Sequence, residues 1–433
     1  MAEKALQKAR LAKKASFGLA VAPARRRNDA LKKIISLLEI NKEKILKANQ
    51  KDVAAAKRAG ISGALLKRLE LTDPKFLEIL RGVEGVRAQE DELGKTVPQM
   101  ILDDGLLLSR VTTPLGVICA IFEARPDALV QISTLAIRTG NSALLKGGSE
   151  ALGTDRELVK IIREALMGAG LPQDAIELIE SRESVKALIS MNEFVDLIIP
   201  RGSASFVKYI QENSTIPVLG HSDGICHEYV DEFADIEKAV RICYDAKCQY
   251  PAVCNAMETM LVNGKIAEKF LPKMAQKYAR DVELRCDERS GAILKKNGFS
   301  VKKATEKDWA TEYNDLILSI KIVKDVEEAI AHINKYGSKH TDGIITENKE
   351  NAERFLSAVD ASSVVWNAST RFADGYRYGK GAEIGVSTGK IHARGPSGAE
   401  ALLSYKYVLK GNGHIVADYS GPNAKKFLHR KMH

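Results

Sequence analysis

Three observations predict an α/β fold built on parallel sheets. Short continuous apolar runs recur from Gly116 onward: GVICAIF (116–122), ALLK (143–146), AIELI (175–179) and VDLIIP (195–200). Stretches with helical spacing separate them, which is the signature of βαβ units. Glycine-bearing turns, LLKGGSEA and IIPRGSASF, follow two of the runs and lead into helices. Parallel sheets of this kind bind ligands at the carboxyl ends of their strands.

Residues 1–95 read as helices, with Leu31, Ile34, Ile35 and Leu38 on one face. Asn41 is a candidate N-cap and Gly60 a stop. In MILDDGLLLSRV (100–111) Asp104-Gly105 divides two apolar runs, which predicts a hairpin. The βαβ series then includes a helix from Pro126 to Ile137 ending near Gly140, a helix near 151–167 and a third after Gly202. Its last strand is IPVL (216–219). After about residue 225 a second α/β unit begins, with strands CHEYV, METMLV (257–262) and NDLILSIKIV (314–323). YKYVLKGNGHIV (405–416) adds one more strand or ribbon.

The 433 residues, 45% hydrophobic and 28% charged, are enough for a full core and about two to three domains. No apolar run approaches the ~18–20 residues of a membrane span. Neither a secretory leader nor a transit peptide is expected, because the first forty residues already carry core-facing periodicity. The net charge of +9 resides in residues 1–70, where 18 Lys and Arg face 6 Asp and Glu. Without interleaved aromatics it reads as solvated helix surface and not as a nucleic-acid face. Six cysteines without a CxxC pair fit neither a disulfide scaffold nor a zinc ribbon. They imply a reducing cytosol, five of them as buried apolar residues, and no metal.

No GxGxxG or GxxxxGK[ST] is present. Lys146-Gly147-Gly148 and Arg201-Gly202-Ser203 each place a cation and a permissive backbone before a helix N-terminus, which suits an anion. Cys254, in CQYPAVCNAMETMLV, follows a proline-containing loop and precedes a strand, near Lys247, Cys248 and Asn255. A nucleophilic thiolate needs such cations or backbone N–H groups. On pattern alone, a buried structural thiol is the plainer reading. VVWNASTRFADGYRYGKGAEIGVSTGKIHARGPSG (364–398) crowds Arg371, Arg377, Lys390, His392 and Arg394 into an irregular segment suited to carboxylate or phosphate groups.

Taken in order, PLGVICAIFEARPDALVQ, TGNSALLKGGSEA, VDLIIPRGS, GICHEYVD, PAVCNAMETMLV, VWNASTRF, GAEIGVST and HARGP resemble the γ-glutamyl phosphate reductase (glutamate-5-semialdehyde dehydrogenase) family of the aldehyde dehydrogenase superfamily. The resemblance covers essentially the whole chain. It implies an aldehyde dehydrogenase-like α/β fold with three parts. These are a Rossmann-like NADPH-binding domain (1–99 and 112–225), an α/β catalytic domain (226–395), and a β-ribbon for oligomerisation with the C-terminal segment (100–111 and 396–433). The implied reaction is NADPH-dependent reduction of L-glutamyl 5-phosphate to L-glutamate 5-semialdehyde and phosphate, in proline biosynthesis. A cytoplasmic homo-oligomer, dimer or tetramer, is implied too, with association to glutamate 5-kinase left open.

The same resemblance makes Cys254 the catalytic nucleophile, carrying a thioester. It places Lys146 at the adenosine ribose, and Ser149 where NAD-preferring members have a glutamate. It puts Gly202 and Ser203 beside the pyrophosphate and Glu312 at the nicotinamide ribose. Asn255, Arg125, Arg371 and Arg394 are its substrate-binding candidates. One departure bears on mechanism: hydrolytic aldehyde dehydrogenases carry a general-base glutamate in ELGG, and this chain reads VLGHSDG there, with His221 in that place. Without a placed base, water cleaves a thioester slowly and phosphate exchange is favoured. A hydrolytic dehydrogenase is the nearest alternative. A thiol-bearing scaffold or an RNA-binding protein is the remote one, and it predicts salt-sensitive RNA affinity without NADPH turnover.

Overall fold

A computed structural model describes residues 2–61, 63–181, 183–279 and 281–432. The chain forms two compact units. One comprises Met1–Gly202, Tyr209–Leu219 and Gly398–His433, the other Ser203–Lys208 and Gly220–Ser397.

The first unit opens with helices Ala2–Ala20, Ala24–Ile40, Lys42–Arg58 and Asp73–Ala88. Leu31, Ile34 and Leu38 are buried while Lys32 and Lys33 between them are exposed, as the spacing predicts. Asn41 does not cap forward. It joins two helices with φ −97 and ψ 10, outside the extended region an N-cap needs, and its side chain donates back to the Leu37 carbonyl at 2.8 Å.

β1 (Thr96–Asp103) and β2 (Leu106–Pro114) form the expected hairpin, longer at both ends, turning at Asp104 and Gly105. β2 pairs along its length with Leu403–Lys410, and β1 with Arg430 and Lys431. The C-terminal strand stops at Lys410 instead of reaching 416, because Gly411-Asn412-Gly413 turns the chain, with Gly413 at φ 79.

β3 (Val117–Phe122), β4 (Ser142–Lys146), β5 (Ile176–Leu178) and β6 (Leu197–Arg201) make a parallel sheet in the order β5-β4-β3-β6. All of β3 is buried, as a central parallel strand must be. The helix Pro126–Thr139 ends at Gly140, whose left-handed φ of 76 costs a residue without Cβ little. IPVL is not a strand: Pro217 has no N–H to donate, and Val218 makes only an isolated bridge to Ile198. β4 and β5 lie on one side of β3 and β6 on the other, so the topological switch point falls between β3 and β6.

The second unit is built on β7 (Cys226–Val230), β8 (Met257–Asn263), β9 (Glu283–Cys286), β10 (Lys302–Lys303), β11 (Ile317–Val323), β12 (Thr341–Ile345) and β13 (Ser363–Trp366). Their order is β10-β9-β11-β8-β7-β12-β13, parallel throughout. β11 starts later than the apolar run predicts because Asn314 takes a left-handed φ of 55. Phe270, Met274 and Tyr278 of the helix Gly264–Tyr278 pack with Met260, Val262, Ile320 and Ile322. Asp235, Asp287, Asp325 and Asn348 each accept the N–H three residues on, caps worth about 1 kcal/mol apiece. Cys119, Cys226, Cys243 and Cys286 are buried, but Cys248, expected among them, is only half-buried, like Cys254. No helix among the described residues is long and apolar enough to cross a membrane.

Candidate active site

Every strand of the second sheet runs the same way, so the residues just ahead of the strands line one edge. β11, β8, β7 and β12 are consecutive neighbours, about 4.8 Å apart. Glu312 precedes β11, Cys254 precedes β8, His221 and Gly224 precede β7, and His340 precedes β12. The candidate site is this amino edge.

Gly224 lies against the Cys254 backbone so closely that a Cβ would fall 2.2 Å from the Cys254 carbonyl oxygen and 2.4 Å from its Cα. Burial pushes the Glu312 carboxyl up, while hydrogen bonds from Asn314 and Gly224 pull it down, for a net rise. Cys226 Sγ donates to the Cys254 carbonyl at 3.2 Å. His221 Nδ1 lies 2.8 Å from the Val386 carbonyl oxygen. A carbonyl only accepts, so Nδ1 carries the proton and Nε2 is the other functional nitrogen. His340 is fully buried, with Nδ1 2.9 Å from Thr341 Oγ1 and its ring edge-on to His221 at 4.9 Å. Burial, and next the His221 ring, hold His340 far below the ordinary histidine range, so it is neutral.

Asn255 donates from Nδ2 to the Ala373 carbonyl at 3.0 Å and to the Arg371 carbonyl at 3.5 Å. Its Oδ1 is buried without a hydrogen-bond partner among the described residues. Arg371 is buried too, with Nε donating to Gln249 Oε1 at 3.1 Å, and desolvation lowers its pKa. The turn carrying Arg371 is held from below by Glu228, which is fully buried and accepts the Thr370 N–H at 3.1 Å. Burial pushes Glu228 well above the carboxylate range.

Lys247 does not supply the cation that the sequence placed near Cys254. Its Nζ is 2.6 Å from Glu258 Oε2 in a fully buried pair. Desolvation lowers Lys247 and pushes Glu258 up to about 7. Arg394 is likewise engaged, donating to Asp360 at 2.8 Å, an aspartate that Lys339 and Lys390 also approach.

In the first unit, Lys146 ends β4 with its ammonium on the Gly147 carbonyl. A Cβ on Gly148 would fall 1.9 Å from Glu150 Oε1, and that carboxylate accepts the Ala124 N–H at 2.8 Å. Ser149 is exposed and opens the short turn ahead of the helix Leu152–Gly168. Asp155, in the first turn of that helix, is buried with neither oxygen hydrogen-bonded among the described residues. Burial, reinforced by Asp52, pushes it well above the carboxylate range. A cation, two glycines and an exposed hydroxyl ahead of a helix fit a phosphate-bearing ligand. Arg125 stands at the N-cap position of the helix after β3 without a capping hydrogen bond, and pairs with Asp127 at 2.7 Å. Gly202 and Ser203 follow β6, both exposed, with Ser203 Oγ 3.3 Å from Ser205 Oγ.

Cys254, Asn255, Arg371 and Glu312 are thus gathered in one unit, and Lys146 and Ser149 share one strand end. Sequence reasoning passed over His340, Glu228 and Glu258. For Glu228 and Glu258 the available signal was a charged residue inside an otherwise apolar strand run, which must be paired or neutral when both faces are covered.

The Aldehyde dehydrogenase family model matches residues 1–297. The γ-glutamyl phosphate reductase of Methanosarcina acetivorans is 52% identical over 439 residues, covering 100% of this chain and 98% of the relative. That of Pelotomaculum thermopropionicum is 53% identical over 425 residues, with 98% and 96% covered. The crystal structure of γ-glutamyl phosphate reductase from Thermotoga maritima matches with a TM-score of 0.92 at 42% identity, covering 95% of this chain and 99% of that one. An acetylating aldehyde dehydrogenase from Geobacillus thermoglucosidasius shares the fold alone, with a TM-score of 0.65, 18% identity, and 96% and 98% covered. With full-length identity of this order and one fold throughout, the chain belongs to the γ-glutamyl phosphate reductase family of the aldehyde dehydrogenases.

Proposed function

We propose that this protein reduces L-glutamyl 5-phosphate to L-glutamate 5-semialdehyde and phosphate, using NADPH and a thioester on Cys254, as a cytoplasmic step of proline biosynthesis. The observation that carries the reading is a half-buried Cys254 with His221 standing where hydrolytic relatives keep a glutamate. The Cys254 thiolate attacks the acyl carbon; the C–S bond forms, the C–O bond to phosphate breaks, and phosphate leaves without needing an acid. NADPH, when bound, supplies the hydride that reduces the thioester. The C–S bond then breaks, the aldehyde forms, and the electron pair returns to Sγ. Backbone N–H groups near Cys254 stabilise the oxyanion. Lys146, Ser149, Gly202, Ser203 and Glu312 hold the cofactor, and Asn255, Arg125 and Arg371 the substrate. Arg394 reaches it only by exchanging Asp360 for a substrate carboxylate or phosphate.

A second reading draws on Glu312, a carboxyl with a raised pKa just ahead of β11, the neighbour of the strand that Cys254 precedes: it could activate water and make the enzyme hydrolytic. The test is oxidation of glutamate semialdehyde with NADP⁺, with and without phosphate. General-base assistance is worth ~10²–10⁴-fold. Without it, the reaction stalls after one turnover in phosphate-free buffer and resumes when phosphate is added. Cys254→Ala abolishes turnover and keeps NADPH binding, whereas Cys119→Ala and Cys286→Ala stay active. Steady glutamate formation without phosphate, lost in Glu312→Gln while phosphate-supported turnover and NADPH binding persist, establishes the hydrolytic reading instead.

A further inference from the structure

His221, Cys254 and His340 each bring one metal-ligating atom within 4.8 Å of the other two. They come from three separate stretches of chain, gathered because β8, β7 and β12 are adjacent and parallel. Two further observations make this more than a chance cluster. His340 is completely buried, and its Nε2 has no hydrogen-bond partner among the described residues, while Nδ1 faces Thr341 Oγ1. His221 is held through Nδ1 by the Val386 carbonyl. That is the outer hydrogen bond by which metal-binding histidines are usually oriented, with Nε2 as the ligand.

We propose that His221, Cys254 and His340 form a zinc-binding site that captures the nucleophile and inhibits the enzyme reversibly. Two imidazoles and one thiolate are a three-ligand set that Zn²⁺ takes, with water in the fourth position. Zn–S of about 2.3 Å and Zn–N of about 2.0–2.1 Å place tetrahedral ligand atoms roughly 3.4–3.6 Å apart. The trio therefore closes by about 1 Å on binding, within reach of side-chain rotation. Coordination occupies the Sγ lone pair that attacks the acyl carbon, so metal and substrate exclude each other, and the thiol proton is released to solvent as zinc binds.

The test uses the full chain and two probes, Zn²⁺ in a chelator buffer and Co²⁺ as its spectroscopic stand-in. One equivalent of Zn²⁺ binds and turnover falls in step with occupancy. Activity returns completely on adding EDTA, and glutamyl phosphate weakens zinc binding competitively. Co²⁺ gives the visible bands of a tetrahedral ion and a thiolate charge-transfer band. The fully buried His340→Gln and the half-buried His221→Asn each weaken zinc at least about 100-fold, beyond the ~10–100-fold typical of losing an outer hydrogen bond. Two variants guard against misfolding, and retained NADPH binding shows that either is folded. Cys248→Ser leaves the affinity unchanged. Zinc affinity unchanged in both histidine variants, or a cobalt complex lacking the thiolate band, overturns the proposal. The cobalt spectrum reads binding without turnover. A protein that binds metal here yet turns over normally as Cys254→Ala therefore sinks the thioester mechanism and leaves the metal site standing.

Discussion

The two parallel sheets place their candidate chemistry at opposite ends of their strands. In the four-stranded sheet the polar groups come at the strands' carboxyl ends: Lys146 ends β4 and Ser149 follows it, and Gly202 and Ser203 follow β6. In the seven-stranded sheet they come before: Glu312, Cys254, His221 and His340 precede β11, β8, β7 and β12. The difference is electrostatic. In a βαβ series the helix N-termini gather at the carboxyl edge, where free N–H groups and the positive dipole end favour phosphate. At the amino edge the helices arrive by their negative C-termini, as Ile236–Cys248 does ahead of Cys254. A site there gets no help from the dipole and must be built from buried side chains. Hence the hydrogen-bonded carboxyls and imidazoles around Cys254, and the exposed Ser149, Gly202 and Ser203 at the other edge.

The largest expected effect tests that dependence on buried side chains. Glu258→Leu, which strands Lys247 in the core, costs about 3–5 kcal/mol in urea unfolding, and adding Lys247→Met recovers most of it. Glu258 also sets a pH slope. Its carboxyl titrates near 4.5 when unfolded and at about 7 when folded. The folded state therefore holds the proton more tightly. The resulting stability is full below pH about 4.5 and is lost as pH rises to about 7. Glu258→Gln flattens that slope; an undiminished slope in the variant assigns it to another group.

A smaller effect comes from two glycines, one at each edge. Gly224→Ala drives a Cβ into the Cys254 backbone, which cannot yield, whereas Gly148→Ala meets only the end of the Glu150 side chain. Gly224→Ala is expected to cost about 1–3 kcal/mol and most of the turnover, and Gly148→Ala under about 1 kcal/mol. Equal losses in the two variants would erase the contrast between the edges. Smallest is Ser149→Glu, which sets a carboxylate at the exposed carboxyl edge. It is expected to move cofactor preference toward NADH by about 1–2 kcal/mol, a factor of roughly 5–30. Unchanged specificity constants for NADPH and NADH place the 2′-phosphate elsewhere.

The first sheet was legible because its strands are short apolar runs and its helices end at residues such as Gly140. IPVL failed because Pro217 cannot donate to a ladder, a veto that hydrophobicity does not register. Cys254 and Asn255 were legible through their motif, and His221 through the departure from it. His340 was not, because its relation to Cys254 exists only once β7 is known to lie between β8 and β12. Lys247 and Glu258, eleven positions apart, read as two surface charges. Their burial is a property of the helix and strand docked together.

The long pairing of β2 with Leu403–Lys410 has a consequence for synthesis. Pro114 faces Leu403 across that ladder, so nearly the whole second unit is made between the two strands. At about 5–20 residues per second, this edge of the hairpin stays open for roughly 15–60 seconds while the ribosome proceeds. An open edge is a template for pairing with another chain. Crowded nascent chains on one messenger are therefore where this protein is most exposed to mispairing, and a chaperone that shields residues 106–114 would raise its yield more than one acting on the finished fold.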